Sequence, residues 1–159
     1  MPEHKNTLRK LAKSGLKNII QKYTFENYIT TEKWQTNIKN KAVDFTNQQN
    51  KWFYIGGQSG YVKTHLCTSI CCKFLSDGKN IIYMLWLGDV KELKSTVNDY
   101  ENHKNLIKKY RETEVLYIDD FFKTGKEKDG ISLPTSADIQ IAYDILNYRY
   151  INENLITII

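Results

Sequence analysis

Trp52-Phe-Tyr-Ile-Gly-Gly-Gln-Ser-Gly-Tyr-Val-Lys-Thr64 is the stretch whose reading decides the fold. Trp52 to Ile55 are aromatic or β-branched, Gly56 and Gly57 break that pattern, and Lys63-Thr64 opens a run whose apolar positions recur at helical spacing. The order is strand, loop, helix. A phosphate-cradling loop needs that order: a buried strand anchors the loop, small residues let backbone N–H groups wrap an anion, and the helix N-terminus adds its positive end. In such a loop Lys63 reaches the β- and γ-phosphates of a nucleotide and Thr64 offers its hydroxyl to Mg²⁺. An ordinary Gly-rich turn between a strand and a helix gives many of the same letters.

The loop departs from the P-loop pattern in one place. With Gly57 as the first glycine, Val62 stands where the second belongs. A tight turn there with φ above zero would cost a β-branched residue roughly 1–3 kcal/mol. The expectation is a P-loop fold with weakened nucleotide binding.

Val115-Leu-Tyr-Ile-Asp-Asp120 is the second stretch that carries chemistry. A β-prone apolar run ending in two carboxylates describes a buried parallel strand that delivers acids to its C-terminal edge, where ligands of open α/β sheets bind. Asp119 is then placed to hold Mg²⁺, directly or through water, and Asp120 to orient or deprotonate the attacking water. A strand ending in a polar turn reads the same way in isolation; beside Lys63-Thr64 the acids gain meaning.

The spacing of the two stretches sharpens the class. Between them lie a helix with Leu66, Ile70, Phe74 and Leu75 inward and a stop at Asp77-Gly78, then a strand over Ile81–Trp86. A long helical stretch follows over Val90–Lys109, carrying Leu93, Val97, Tyr100, Leu106 and Ile107, with a basic end read as a solvated surface. The acid-bearing strand is therefore not the next one after the loop. That order points to ATPases with an added strand and away from small nucleotide kinases.

Upstream, Thr7–Gln21 reads as a basic amphipathic helix, and Thr31–Gln49 as a helix whose Trp34, Ile38, Ala42 and Phe45 share a buried face. Downstream, a polar loop over Lys123–Pro134 leads to a helix capped by Ser136 or Asp138, with Ile139, Ala142, Ile145 and Leu146 inward. Leu155–Ile159 reads as one more buried strand, and the polypeptide reads as a piece of a longer protein. The division is a basic helix or linker over 1–22 and a nucleotide-binding core over 23–159.

At 159 residues and 41% hydrophobic, the chain holds one domain with a real core. No apolar run is long enough to span a bilayer and the N-terminus lacks a signal-peptide core, so the reading is a cytoplasmic protein without membrane contact. Cys67, Cys71 and Cys72 crowd one helix without a second Cys/His cluster and read as reduced core residues. The net charge of +5 is N-terminal in origin: residues 1–50 hold nine Lys/Arg against four Asp/Glu. Such an arm suits a polyanion such as DNA, and equally a solvated linker.

Together these residues resemble the AAA+ ATPases of the DnaC/DnaI helicase-loader group and the related IstB transposition helpers. The resemblance runs from about Tyr23 to Ile159, through Tyr23-Thr-Phe-Glu-Asn-Tyr28, Gly57-Gln-Ser-Gly-Tyr-Val-Lys-Thr-His-Leu66 as Walker A and Leu116-Tyr-Ile-Asp-Asp-Phe-Phe122 as Walker B. Ile145-Leu-Asn-Tyr-Arg-Tyr150 and Thr157-Ile-Ile159 are similar too. The resemblance implies an α/β P-loop fold: a parallel sheet with helices on both faces, the fifth strand beside the first, then the fourth, third and second. It implies ATP and Mg²⁺ as ligands, and a replicative DNA helicase and single-stranded DNA as partners in primosome function.

Carried over, Gly57, Gln58, Ser59, Gly60, Tyr61, Val62, Lys63, Thr64 and His65 are the nucleotide-binding positions, with Phe25 and Tyr28 flanking the adenine. Thr64 and Asp119 are the Mg²⁺ ligands, and Lys63 and Asp120 the catalytic pair. Val62, and a sequence that stops before sensor 1, the arginine finger, the fifth strand and the lid of the family, imply weak hydrolysis by this chain alone. A first strand without its family neighbour implies an exposed edge that favours self-association. Two alternatives share the motifs: a transposition helper, told apart only by its partner, and a nucleotide-independent DNA or protein adaptor with a degenerate loop.

Overall fold

A computed structural model describes residues 16, 20, 22–48, 51–57, 61–123 and 133–159. Outside them lie the expected basic helix over 7–21, apart from Leu16 and Ile20, together with Gln58, Ser59, Gly60, the side chain of Tyr61 and most of the polar loop before Pro134. The described elements run α1 (Lys33–Asn47), β1 (Trp52–Phe53), α2 (Tyr61–Ser76), β2 (Ile81–Leu85), α3 (Trp86–Ser95), α4 (Tyr100–Glu112), β3 (Val115–Asp119), α5 (Ser136–Ile151) and β4 (Ile156–Ile158).

The four strands form one parallel sheet in the order β1-β4-β3-β2. β3 explains why helices cover both faces. It has an apolar residue at each of its first four positions, so its pleat sends Val115 and Tyr117 into a core with α1 and α2, and Leu116 and Ile118 into a second core with α3, α4 and α5. β1 is an edge strand; its pairing to β4 is prolonged by hydrogen bonds from Ile159 N–H to the Phe53 carbonyl and from Ile55 N–H to the Ile159 carbonyl, both 2.9 Å. Among the described residues no helix is long and apolar enough to cross a membrane.

α2 is the central helix of the first core. Leu66, Cys67, Ile70, Cys71, Phe74 and Leu75 are all buried along it, and the three cysteines are free thiols. It ends as its sequence dictates: Gly78 takes φ +82°, and the N–H groups of Gly78 and Lys79 close on the carbonyls of Leu75 and Phe74. Phe45 of α1 meets Phe74 of α2 and Phe53 of β1, with ring centroids 6.0 and 5.2 Å away, which docks the first helix on the sheet.

The single helix expected over Val90–Lys109 is two. α3 stops at Ser95 and α4 restarts at Tyr100, capped by the Asp99 carboxylate, which accepts from the Asn102 N–H at 3.2 Å. The Thr96 hydroxyl donates to the Leu93 carbonyl at 2.9 Å, so side-chain oxygens replace the backbone bonds that would have continued the helix. Val97 and Tyr100 are accordingly exposed, and Trp86, expected to end β2, opens α3 and is buried. On α1, Trp34 is 53% exposed while Ala42 and Phe45 are buried, because the helix begins at Lys33 and its first turn overhangs the core. On α5 the cap is Thr135, in a reciprocal box with Asp138; the register places Ile141 inward and leaves Ile139 exposed.

Arg149 fastens the second core to the sheet. It is 1% exposed and pairs with no carboxylate among the described residues; its guanidinium donates to the carbonyls of Tyr110, Arg111 and Thr113 at the end of α4, to the Thr157 hydroxyl and to the Ile156 carbonyl. Burial lowers its pKa to about 10, so it remains charged at neutral pH.

Candidate functional site

The C-terminal edge of β3 and the N-terminus of α2 converge on one cavity of about 820 Å³. That volume lies in the usual range for small-molecule sites. β3 delivers Asp119, and α2 delivers Lys63 and Thr64, whose hydroxyl stands 3.5 Å from Asp119 Oδ1. The Asp120 N–H donates to the same oxygen at 3.0 Å, while the Tyr83 hydroxyl donates to Asp119 Oδ2 at 3.0 Å. Lys63 Nζ donates to the Gly57 carbonyl at 3.0 Å, folding back over the start of the loop.

The chain leaves β3 through a strained turn. Asp120 and Phe122 both take positive φ, +54° and +59°, a region that aspartate tolerates better than most side chains and that is an outlier for an aromatic residue. Packing holds it there. The Phe121 and Phe122 rings stack with centroids 4.1 Å apart, and both meet the buried Trp86 edge-on, at 4.8 and 5.3 Å. The turn carries the Asp120 carboxylate outward, where Lys123 pairs with it at 3.1 Å.

Gly57, Lys63, Thr64, Asp119 and Asp120 thus share one cavity lining, and other residues singled out in the sequence stand apart from it. His65 turns to the segment before α1: its Nε2 faces the Thr24 carbonyl at 2.8 Å and Asn27 Oδ1 at 3.0 Å, two acceptors that require a proton on that nitrogen. Tyr28 stacks edge-on against His65 and is buried in the first core, and Phe25 packs against that core, so neither flanks the cavity as expected. Tyr23 of the same segment does line it, as does Tyr54. Val62 lies within α2 and packs against the first core, and the positive φ anticipated for it does not occur.

Burial and the neighbouring Asp119 push the Tyr83 phenol and the Cys67 thiol well above their ordinary values, so both stay protonated and Tyr83 acts as a donor. The donor set suits Mg²⁺. A hydroxyl and a carboxylate are hard oxygen ligands, and Mg²⁺ usually takes one or two carboxylates and keeps several waters. The Tyr117 hydroxyl is buried in the first core and has no hydrogen-bond partner among the described residues. Neither Tyr83 nor Tyr117 was singled out from the sequence for chemistry. Each reads there as a strand aromatic, and only the pairing of β2 with β3 puts Tyr83 beside an acid.

Residues 19–133 match the family described as the bacterial DnaA ATPase domain. The chain belongs to that family. It is an AAA+ ATPase domain of the DnaA/DnaC type, and the sheet order and helix layers described above are those of its P-loop fold. It is 28% identical over 158 residues to YqaM of Bacillus subtilis (strain 168), covering 93% of this chain and 49% of that protein. It is 26% identical over 116 residues to the replicative helicase loader DnaC of Escherichia coli (strain K12), covering 70% of this chain and 47% of DnaC. Similarity to the phage-like element PBSX protein XkdC of Bacillus subtilis (strain 168) is 32% over 99 residues, covering 60% and 34%. The chain spans about half the length of YqaM and DnaC. A crystal structure described as a DNA replication initiation factor superposes with a TM-score of 0.68 at 20% identity, over 87% of this chain and 41% of that one; this likeness concerns the fold.

Proposed function

We propose that this AAA+ domain binds Mg-ATP in the cavity between Gly57 and Asp119 and serves as the ATPase core of a helicase loader in the DNA replication of a phage or mobile element. The observation that carries the reading is the convergence of Lys63 and Thr64 from α2 with Asp119 from β3 on one cavity. Similarity to the loader DnaC supports the loader role, and similarity to a phage-like element protein supports the setting.

Each residue then has a task. Lys63 Nζ exchanges the Gly57 carbonyl for phosphate oxygens, replacing a neutral acceptor by a charged one. The N-terminus of α2 adds its backbone N–H groups and positive dipole end to the same anion. Thr64 and Asp119 would hold Mg²⁺, which would supply positive charge to neutralise the phosphates. Asp120 orients the attacking water once Lys123 releases its carboxylate. Tyr23 and Tyr54, which line the cavity, flank the base in this reading, the role that the family resemblance implied for Phe25 and Tyr28.

In this reading nucleotide binding switches the grip on a replicative helicase and on single-stranded DNA. The test is retention of the replicative helicase by the immobilised chain with Mg-ATP, with ADP and without nucleotide. Nucleotide-dependent retention that disappears in Lys63→Ala is the expected result. Retention of a transposase instead, or of helicase regardless of nucleotide and of Lys63, would overturn the loader reading.

A further inference from the structure

The chain's own donors engage both oxygens of Asp119. Oδ1 takes the Asp120 N–H and faces Thr64 Oγ1; Oδ2 takes the Tyr83 hydroxyl. The sheet register brings the two residues of the last contact within reach. Leu85 is the partner of Asp119 and Tyr83 the partner of Tyr117, so Tyr83 stands two residues back on the neighbouring strand with its side chain on the same face as the acid. The Tyr83 and Tyr117 rings lie 5.2 Å apart, which limits where the phenol can swing.

We propose that Tyr83 is a positioning residue for the metal site: by holding Oδ2 it leaves Asp119 a single oxygen, the one beside Thr64, to offer to Mg²⁺. The inference rests on the nucleotide reading of the same cavity. Its chemical consequence is selectivity. Mg²⁺ demands near-ideal octahedral geometry and is served by one carboxylate oxygen or by a water that the oxygen orients, whereas Ca²⁺ accepts both oxygens of a carboxylate. A carboxylate freed from Tyr83 can rotate and present both, which costs Mg²⁺ its geometry and suits Ca²⁺. Loss of a hydrogen bond to a metal ligand typically lowers metal affinity by about 10–100-fold.

The experiment titrates Mg²⁺, and separately Ca²⁺, into the 159-residue chain holding a fluorescent ATP analogue, for wild type, Tyr83→Phe, Asp119→Asn and the double variant. Tyr83→Phe is expected to raise the half-saturating Mg²⁺ concentration by about tenfold or more and to shift Ca²⁺ far less. In the Asp119→Asn background it should add no further shift. A general structural defect would move both cations together. Tyr83→Leu also removes the hydroxyl and takes the place of the phenylalanine variant should that one fail to fold. An unshifted Mg²⁺ requirement in a wild type that binds nucleotide, or a shift that persists in Asp119→Asn, overturns the role of Tyr83 and leaves the nucleotide reading standing. A wild type that binds no nucleotide at any Mg²⁺ concentration overturns both.

Discussion

Replacing Arg149 by methionine should destabilise the domain more than any surface substitution, and the structure sets the size of the loss. The side chain is 1% exposed, and its guanidinium is the donor to carbonyls of Tyr110, Arg111, Thr113 and Ile156 and to the Thr157 hydroxyl. Methionine fills much of the volume but donates to none of them. Each carbonyl left unpaired costs about 1 kcal/mol at the lower end of the usual range, and relief from burying a charge offsets part of the sum. The net loss is about 3 kcal/mol, a large share of the roughly 5–15 kcal/mol that holds a domain together. In thermal terms that is a fall of about 6–12 °C for a chain of this size. Urea unfolding followed by far-ultraviolet circular dichroism measures it, with the denaturant slope checked for constancy. Arg149→Lys should recover less than half, since one ammonium cannot span acceptors on α4 and β4 at once. A loss below about 1 kcal/mol for Arg149→Met would refute the reasoning, because the carbonyls would then have found other donors.

Val62→Gly should not repair the loop. Val62 is helical and packs against the first core, so the change removes partly buried methyl groups and adds a helix-disfavouring glycine, a loss of about 1–2 kcal/mol, with ATP affinity within about threefold of the parent. A tenfold gain in calorimetric affinity would show instead that Val62 distorts the phosphate site. Alkylation should spare all three thiols of the native chain: burial pushes Cys67 and Cys71 up, and burial with nearby Glu26 brings Cys72 to about 11. Mass spectrometry should find them labelled only after unfolding, and prompt single-site labelling would contradict that. Burial alone would raise the Asp138 carboxyl, but hydrogen bonds to Lys94 and Thr135 hold it below its ordinary value. A folded value below the unfolded one means that its contribution is complete above the unfolded value and is lost as pH falls through the folded one. The stability advantage of the parent over Asp138→Asn, read by urea titration, should therefore be constant near neutral pH and vanish in acid; a constant difference down to the acid limit would contradict this.

The parts of the fold that strong local signals specify were legible in the sequence. The apolar, β-prone run before Asp119 reads as a strand covered on both faces, and the Gly78 stop of α2 followed from backbone geometry. The break at Ser95-Thr-Val-Asn-Asp99 was also written in cap-forming residues, but the apolar spacing on either side continued through it and masked the restart. The candidate site was legible where one motif supplies its own geometry, as at Lys63-Thr64, and illegible where strands distant in sequence meet. Tyr83 gains its role from the register of β2 on β3, and His65 is drawn from the cavity by an acceptor pair about forty residues upstream. Phe122 shows the same limit from another side, since only its packing on Phe121 and Trp86 accounts for a positive φ that its residue type disfavours.

Titration calorimetry of ATP into this chain with Mg²⁺ present, repeated on Lys63→Ala, tests the central claim most directly. Micromolar binding in the parent that is lost in the variant is the predicted result. No heat of binding in the parent, or equal binding in both, would contradict a nucleotide site built on α2 and β3.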